Sequence, residues 1–180
     1  MTSPSDIQLV WFKRDLRTRD HAVLARAAEH GPLLPLFIVE PEAWAQPDAS
    51  ARQWAFVAES LLELRADLAA LGQPLVVRVG DVVSVFEELC SVLPIGRLWS
   101  HEETGNNWSF QRDLRVKAWC RSKGLEWREM QPAGVIRRLQ QRDGWARQWN
   151  QFMARPQDQA PEGLERLPIE VGAIPTAEEL

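Results

Sequence analysis

The chain has 180 residues, with 21 Lys and Arg against 25 Asp and Glu, for a net charge of −4. That length accommodates one domain with a full hydrophobic core, and the acidic balance argues against this segment gripping nucleic acid by itself. No apolar run approaches membrane-spanning length, and the polar start from Met1 to Asp6 lacks a signal pattern.

Ile7-Gln8-Leu9-Val10-Trp11-Phe12 is a short apolar run that ends at Lys13-Arg14-Asp15, the pattern of a buried strand. Asp20 is placed to cap a helix running to His30, which Gly31-Pro32 stops. Leu33 to Val39 is a second strand, ended by Glu40-Pro41. The clearest helix runs from about Ser50 to Leu71, where Val57, Leu61, Leu64, Leu68 and Leu71 make one apolar stripe, and Gly72 stops it. Leu75 to Val79 is a third strand. Gly80 turns the chain, and Asp81 caps a helix with Val82, Val85, Phe86, Leu89 and Val92 at helical spacing. Arg97 to Ser100 is a fourth strand. The loop from His101 to Asn106 leads to a helix ending at Lys123-Gly124, and Leu125 to Met130 is a fifth strand. Such alternation predicts a parallel sheet covered by helices on both faces.

After Met130 the pattern changes. Gly144 to Ala154 is helical in pattern, with Trp145, Trp149 and Phe152 on one side. From Arg155 onward the chain is Pro-rich and polar, which marks a linker rather than a core element. Cys90 and Cys120, both on predicted helices, fit buried, reduced thiols of a cytosolic protein.

Ligands of open parallel sheets bind beyond the carboxyl ends of the strands. Three loops fall there: Lys13 to Arg17, Glu40 to Trp44, and Ser100 to Asn106. They form a pocket rim, or they only close the sheet. Arg14 and Arg17 are candidates for anion or cofactor contact, since a guanidinium suits flat, bidentate partners. Asp15 fits an Arg–Asp pair that holds its own loop. The helix start near Asn106 offers free N–H groups. Glu102 and Glu103 are adjacent and point apart, which makes a poor acid–base pair. His21, His30 and His101 lack ligand-like spacing with Cys or carboxylates, so no metal site is expected. There is no Gly-rich phosphate loop and no spacing that suggests a nucleophile triad, so no catalytic residue is assigned.

Leu9-Val10-Trp11-Phe12-Lys13-Arg14-Asp15-Leu16-Arg17 resembles the opening strand and loop of the DNA photolyase/cryptochrome family. Leu33 to Pro41, Arg52 and Phe56 through Leu71-Gly72, Arg78-Val79-Gly80-Asp81, and the pair Arg112-Asp113 resemble later parts of the same domain. The resemblance implies a Rossmann-like α/β fold whose five-stranded sheet has the order 3-2-1-4-5. It implies that residues 1–130 form the amino-terminal domain and 131–155 a helical extension. Residues 156–180 would then be a Pro-rich linker toward an absent FAD-binding helical domain. In such a protein, light-excited FAD splits pyrimidine dimers, and the amino-terminal domain can hold an antenna chromophore: a folate, a deazaflavin or a flavin. The candidate rim of an antenna pocket here is Arg14, Arg17, Glu40, Glu102 and Asn106. Trp145, Trp149 and Phe152 are candidates for docking the carboxy-terminal domain, and DNA is contacted through the parent only. The Asn–Glu pair that contacts folate in some members falls on Trp108 and Ser109, which argues against folate. A light-signalling cryptochrome and a free-standing nucleotide-binding domain are the alternatives. The expected location is the cytoplasm, with no membrane contact.

Overall fold

Apolar runs become strands and periodic stretches become helices in alternation along the chain. The order is β1 (Ile7–Phe12), α1 (Ala22–Ala28), β2 (Leu33–Val39), α2 (Pro41–Trp44), α3 (Ala51–Ala70) and β3 (Val76–Val79). It continues with α4 (Val82–Val92), β4 (Ile95–His101), α5 (Asn107–Lys123), β5 (Glu126–Met130) and α6 (Trp145–Met153). The structure is a computed structural model that describes residues 6–137 and 139–179. Its five strands form one parallel sheet in the order β3-β2-β1-β4-β5.

The two-residue period of β1 divides the core. Leu9 and Trp11 face a layer built from α4 and α5, with Phe86, Leu89, Val116 and Trp119. Val10 and Phe12 face α1 and α3, with Leu24, Leu61, Leu64 and Leu68. Both faces of the central strands are therefore buried, which is why β1 and β2 read as unbroken apolar runs. Trp54 extends the α3 stripe inward, while Val57 and Leu71 are only half-buried. The one buried polar residue of β1 is matched: Gln8 accepts from Trp99 Nε1 at 2.9 Å and donates to the Asp6 carbonyl at 2.9 Å.

Several expectations need correction. The cap of α1 is His21, whose Nδ1 accepts the Leu24 N–H at 3.0 Å. Asp20 lies one residue too early, in a left-handed turn with φ 50°. β4 begins at Ile95 and includes His101, because Arg97 finds Glu126 at 2.7 Å on β5 and so does not break the ladder. Val92 ends α4 exposed, and Cys90 is also exposed, whereas Cys120 is buried.

The largest correction concerns the Pro-rich tail. It packs on the domain and contributes to the core. Leu167 is buried with the α4 and α5 layer, and Leu164 and Ile174 pack against the other layer. Leu164 N–H donates to Leu71 O at 2.6 Å, and Val77 N–H on the outer edge of β3 donates to Val171 O at 2.7 Å. The contact at Gly72 is so close that a Cβ there would lie 2.2 Å from Leu164 O, at φ +118°. The tail thus covers a sheet edge that would otherwise present unpaired backbone groups.

Candidate functional site

β1 leads to β2 and β3 on one side of the sheet, and β4 and β5 lie on the other. The strand order therefore turns back between β1 and β4, the place where open α/β sheets bind ligands. A cleft of about 860 Å³ opens beyond these strand ends, between the β1 loop, the chain after β2, α3 and the start of α5. Its size lies within the range of about 300–1,000 Å³ usual for small-molecule sites.

The cleft floor is an ionic cluster centred on Arg112, which projects from the first turns of α5. Arg112 Nη1 donates to Glu40 Oε2 at 3.0 Å, and its Nη2 donates to Glu103. Nε and Nη2 donate to Asp113 Oδ1 at 3.1 and 2.9 Å. Lys13 Nζ lies 3.1 Å from Asp113 Oδ2 and 4.3 Å from the centre of the Trp11 ring. Arg14 Nε pairs with Glu103 Oε1 at 2.9 Å. Three cations and three carboxylates are thus matched in this cluster.

One atom of the floor stands apart. Glu40 is 5% exposed, and its Oε1 is buried with no hydrogen-bond partner among the described residues. A buried acceptor left this way costs about 1–3 kcal/mol. Burial pushes the Glu40 carboxyl up to about 7, against the pull of Arg112. Glu103 moves the other way: burial raises it, but the Arg112 charge and hydrogen bond outweigh burial and hold it below its usual range. Burial lowers the Lys13 ammonium despite Asp113.

A second buried cluster lies beside the first. Asp15 Oδ2 contacts His101 Nδ1 and stands 2.6 Å from His21 Nε2, although the His21 N–H is off the line of a good hydrogen bond. Asp15 Oδ1 also accepts from Arg14 N–H at 3.2 Å. Burial raises the Asp15 carboxyl, but the two imidazoles overcome it and hold it far below the usual range. Burial lowers His21. The donor set resembles a metal site, with candidate ligand atoms within 4.8 Å of one another. One detail argues for a structural carboxylate–imidazole cluster instead. His21 Nδ1 accepts the Leu24 N–H, so a neutral ring carries its proton on Nε2, the atom a metal would need. Metal-bound histidines instead donate from their second nitrogen.

Of the sequence-derived rim residues, Arg14, Arg17, Glu40 and Asn106 line the cleft. Arg17 holds the β1 loop, donating to Asp20 O at 2.9 Å, and Asn106 caps α5 by accepting the Ser109 N–H at 3.0 Å. Glu102 does not line the cleft; it faces Arg137, 3.7 Å away, while its neighbour Glu103 turns in. Asp15 is held by histidines rather than by an arginine. Trp108 and Ser109 also line the cleft. Arg112, Glu103 and Lys13 were missed as site residues, although the pair Arg112-Asp113 stood out in sequence. Trp145 and Trp149 remain 41% and 39% exposed on α6, which buries no residue among those described.

The family described as DNA photolyase matches residues 8–153. A deoxyribodipyrimidine photo-lyase of Halobacterium salinarum is 34% identical over 110 residues, covering 55% of this chain and 22% of that protein. Cryptochrome-1 of Sinapis alba is 45% identical over 69 residues, 37% of this chain and 13% of that one. This chain therefore spans less than a quarter of the length of either relative. Among solved structures, an archaeal photolyase from Sulfolobus tokodaii superposes with a TM-score of 0.74 at 21% identity, covering 89% of this chain and 38% of that one. The sheet order, the motifs around the strand ends and a family match over most of its length agree: the chain belongs to the DNA photolyase family.

Proposed function

We propose that this chain is the amino-terminal domain of a deoxyribodipyrimidine photolyase-like flavoprotein and that its cleft holds an antenna chromophore. The whole protein uses light and FAD to split pyrimidine dimers in DNA. The FAD belongs to a carboxy-terminal helical domain outside this chain, and the protein works in the cytoplasm. The observation that carries the chromophore reading is the cleft of about 860 Å³ at the turn in strand order. Its walls suit a planar ring: Trp44, Phe56 and Trp108 line it beside Glu40. A bound antenna supplies light absorption, and these residues hold it and keep water from one face. The Sulfolobus tokodaii photolyase was solved with two FAD molecules, with the implication of a novel light-harvesting cofactor, which is consistent with a second chromophore in this fold.

Other features agree. The net charge of −4 suits a domain that leaves DNA contact to another part of the protein. No described helix is long and apolar enough to cross a membrane. Trp145, Trp149 and Phe152 form the face of α6 that docks the carboxy-terminal domain, and residues after 155 lead toward that domain across the β3 edge. A light-signalling cryptochrome is the second reading, favoured by the Sinapis alba match.

The test uses the full-length protein. It should restore ultraviolet-damaged DNA under blue light and absorb at a second band besides FAD. Filling the cleft with Ala43→Trp should remove that band and leave FAD in place. Light-driven flavin reduction with no repair would select the cryptochrome reading. A second band that survives Ala43→Trp would place the chromophore elsewhere.

A further inference from the structure

We infer that Arg97 and Arg128 form an anion site on the α1 face of the sheet, which takes a phosphate group. The site lies at the strand starts, away from the cleft, and is independent of the chromophore reading.

Arg97 lies near the start of β4, and Glu126 opens β5 beside it in register. Trp99 pairs with Arg128 in the same way. Alternation along each strand puts all four side chains on one face, the face where Trp99 packs with α1. Glu126 bridges the two guanidiniums. Its Oε2 accepts from Arg97 Nε at 2.7 Å and its Oε1 from Arg128 Nε at 2.6 Å. The guanidinium carbons lie 5.4 and 5.2 Å from the centre of the Trp99 ring. Trp99 is itself fixed by Gln8 and flanked by the His30 ring at 5.2 Å. Two guanidinium forks are thus held within reach of one carboxylate, on a rigid support.

Their donors are underused. A guanidinium has five N–H donors. Each spends its Nε on Glu126, and no Nη group of either has a hydrogen-bond partner among the described residues. Arg97 is only 8% exposed, and buried polar groups are normally paired. Among the described residues, His21 Nε2 and Glu40 Oε1 are the buried side-chain atoms without a partner. The Nη groups of Arg97 therefore open to solvent from a buried stem, unlike a loose surface charge. Joining β4 to β5 needs no second arginine, because Arg97 and Glu126 already span the two strands.

The donors choose the anion. A carboxylate has two oxygens and fills one fork, whereas a phosphate has oxygens enough for two. Glu126 neutralises one guanidinium, and Glu29, at the end of α1, is paired with Arg26 at 2.9 Å. One positive charge is left for the ligand. The Arg128 hydrogen bond, with that of Arg97, holds the Glu126 carboxyl below its usual range, in line with a positive local potential.

The test is calorimetric titration of the 180-residue chain with inorganic phosphate and with adenosine monophosphate, at fixed ionic strength. The unaltered chain should bind phosphate saturably. Arg128→Gln should weaken binding about tenfold or more, since charged hydrogen bonds are lost. Glu126→Gln should strengthen it, because the competing carboxylate is gone. The two variants carry opposite signs, so either suffices if the other fails to fold. Adenosine monophosphate bound more tightly than phosphate, and weakened by Arg128→Gln, assigns the group to a nucleotide; weaker or equal binding assigns free phosphate. No saturable binding of either ligand, or binding indifferent to both variants, overturns the site. Ala43→Trp fills the cleft and should leave phosphate binding intact; loss of binding there would move the ion to the cleft and overturn the site as well.

Discussion

Two buried carboxylates lie at the ends of neighbouring strands, and their surroundings drive them in opposite directions. Asp15, after β1, meets His21, His101 and the backbone N–H of Arg14. Glu40, after β2, meets Arg112 through one oxygen and, among the described residues, no hydrogen-bond donor through the other. Burial disfavours the charged form of both. At Asp15 the hydrogen bonds win and the acid is held ionised; at Glu40 burial wins and the carboxyl rises to about 7. The difference is the number of donors, not the residue type or the depth. The first cluster ties three chain segments together, with His21 Nε2 2.6 Å from the carboxylate but out of line with it, whereas in the second Glu40 Oε1 is buried with no partner among the described residues.

The Asp15 cluster should be the more costly to break. Asp15→Asn leaves two buried imidazoles without their carboxylate and should cost about 3–5 kcal/mol. Urea unfolding at pH 7.5 measures this, and a cost below about 1 kcal/mol would show that the triad does not organise the strand ends.

Glu40→Gln tests the other side through pH. An acid whose carboxyl is raised in the folded state binds its proton more tightly there than when unfolded. Stability from Glu40 is thus present near pH 4.5 and is lost as pH rises to about 7. The shift corresponds to about 3 kcal/mol. Glu40→Gln removes this loss, so its stability relative to the unaltered chain should climb by about that amount between pH 4.5 and 8. A difference that stays flat with pH would mean that Glu40 is ionised as readily in the fold as outside it.

His21 should give the opposite slope. Its folded pKa is lowered, so the folded state resists the proton that the unfolded chain accepts. Stability is complete above pH 6.5 and falls as pH drops through that value. His21→Asn keeps a cap for α1 but loses the Asp15 contact. It should cost about 1–2 kcal/mol at pH 7.5 and flatten the decline below pH 6.5. Persistence of the same acid decline would move the proton-sensitive group elsewhere.

The sheet was legible in sequence and the two clusters were not, for reasons visible in particular residues. β1 and β2 are buried on both faces, so their apolar runs carry the strand signal directly. Asp15 and His101 lie 86 residues apart, and only the folded sheet brings them together, so local ligand spacing could not find them. Adjacency correctly separates Glu102 from Glu103 but cannot say which one faces the cleft. The tail escaped because its bonds run through backbone oxygens such as Val171 O and Pro175 O, which leave no pattern in side-chain type.

A second contrast, between a sealed and an open apolar stripe, concerns α3 and α6. The α3 stripe is sealed, with Leu61, Leu64 and Leu68 at most 1% exposed. The α6 stripe is not: Trp149 rests over Gly134, where a Cβ would lie 2.0 Å from its ring, yet it stays 39% exposed beside Trp145. Its ring is therefore held in place and still leaves about two-fifths of its surface open. Trp149→Ala should lower the unfolding free energy of the 180-residue chain by about 2–3 kcal/mol, because roughly three-fifths of the residue's surface leaves water on folding. In the full-length protein the same change should destabilise more, since a docked domain would cover the exposed part. Equal effects in the two proteins would show that this face meets no other domain.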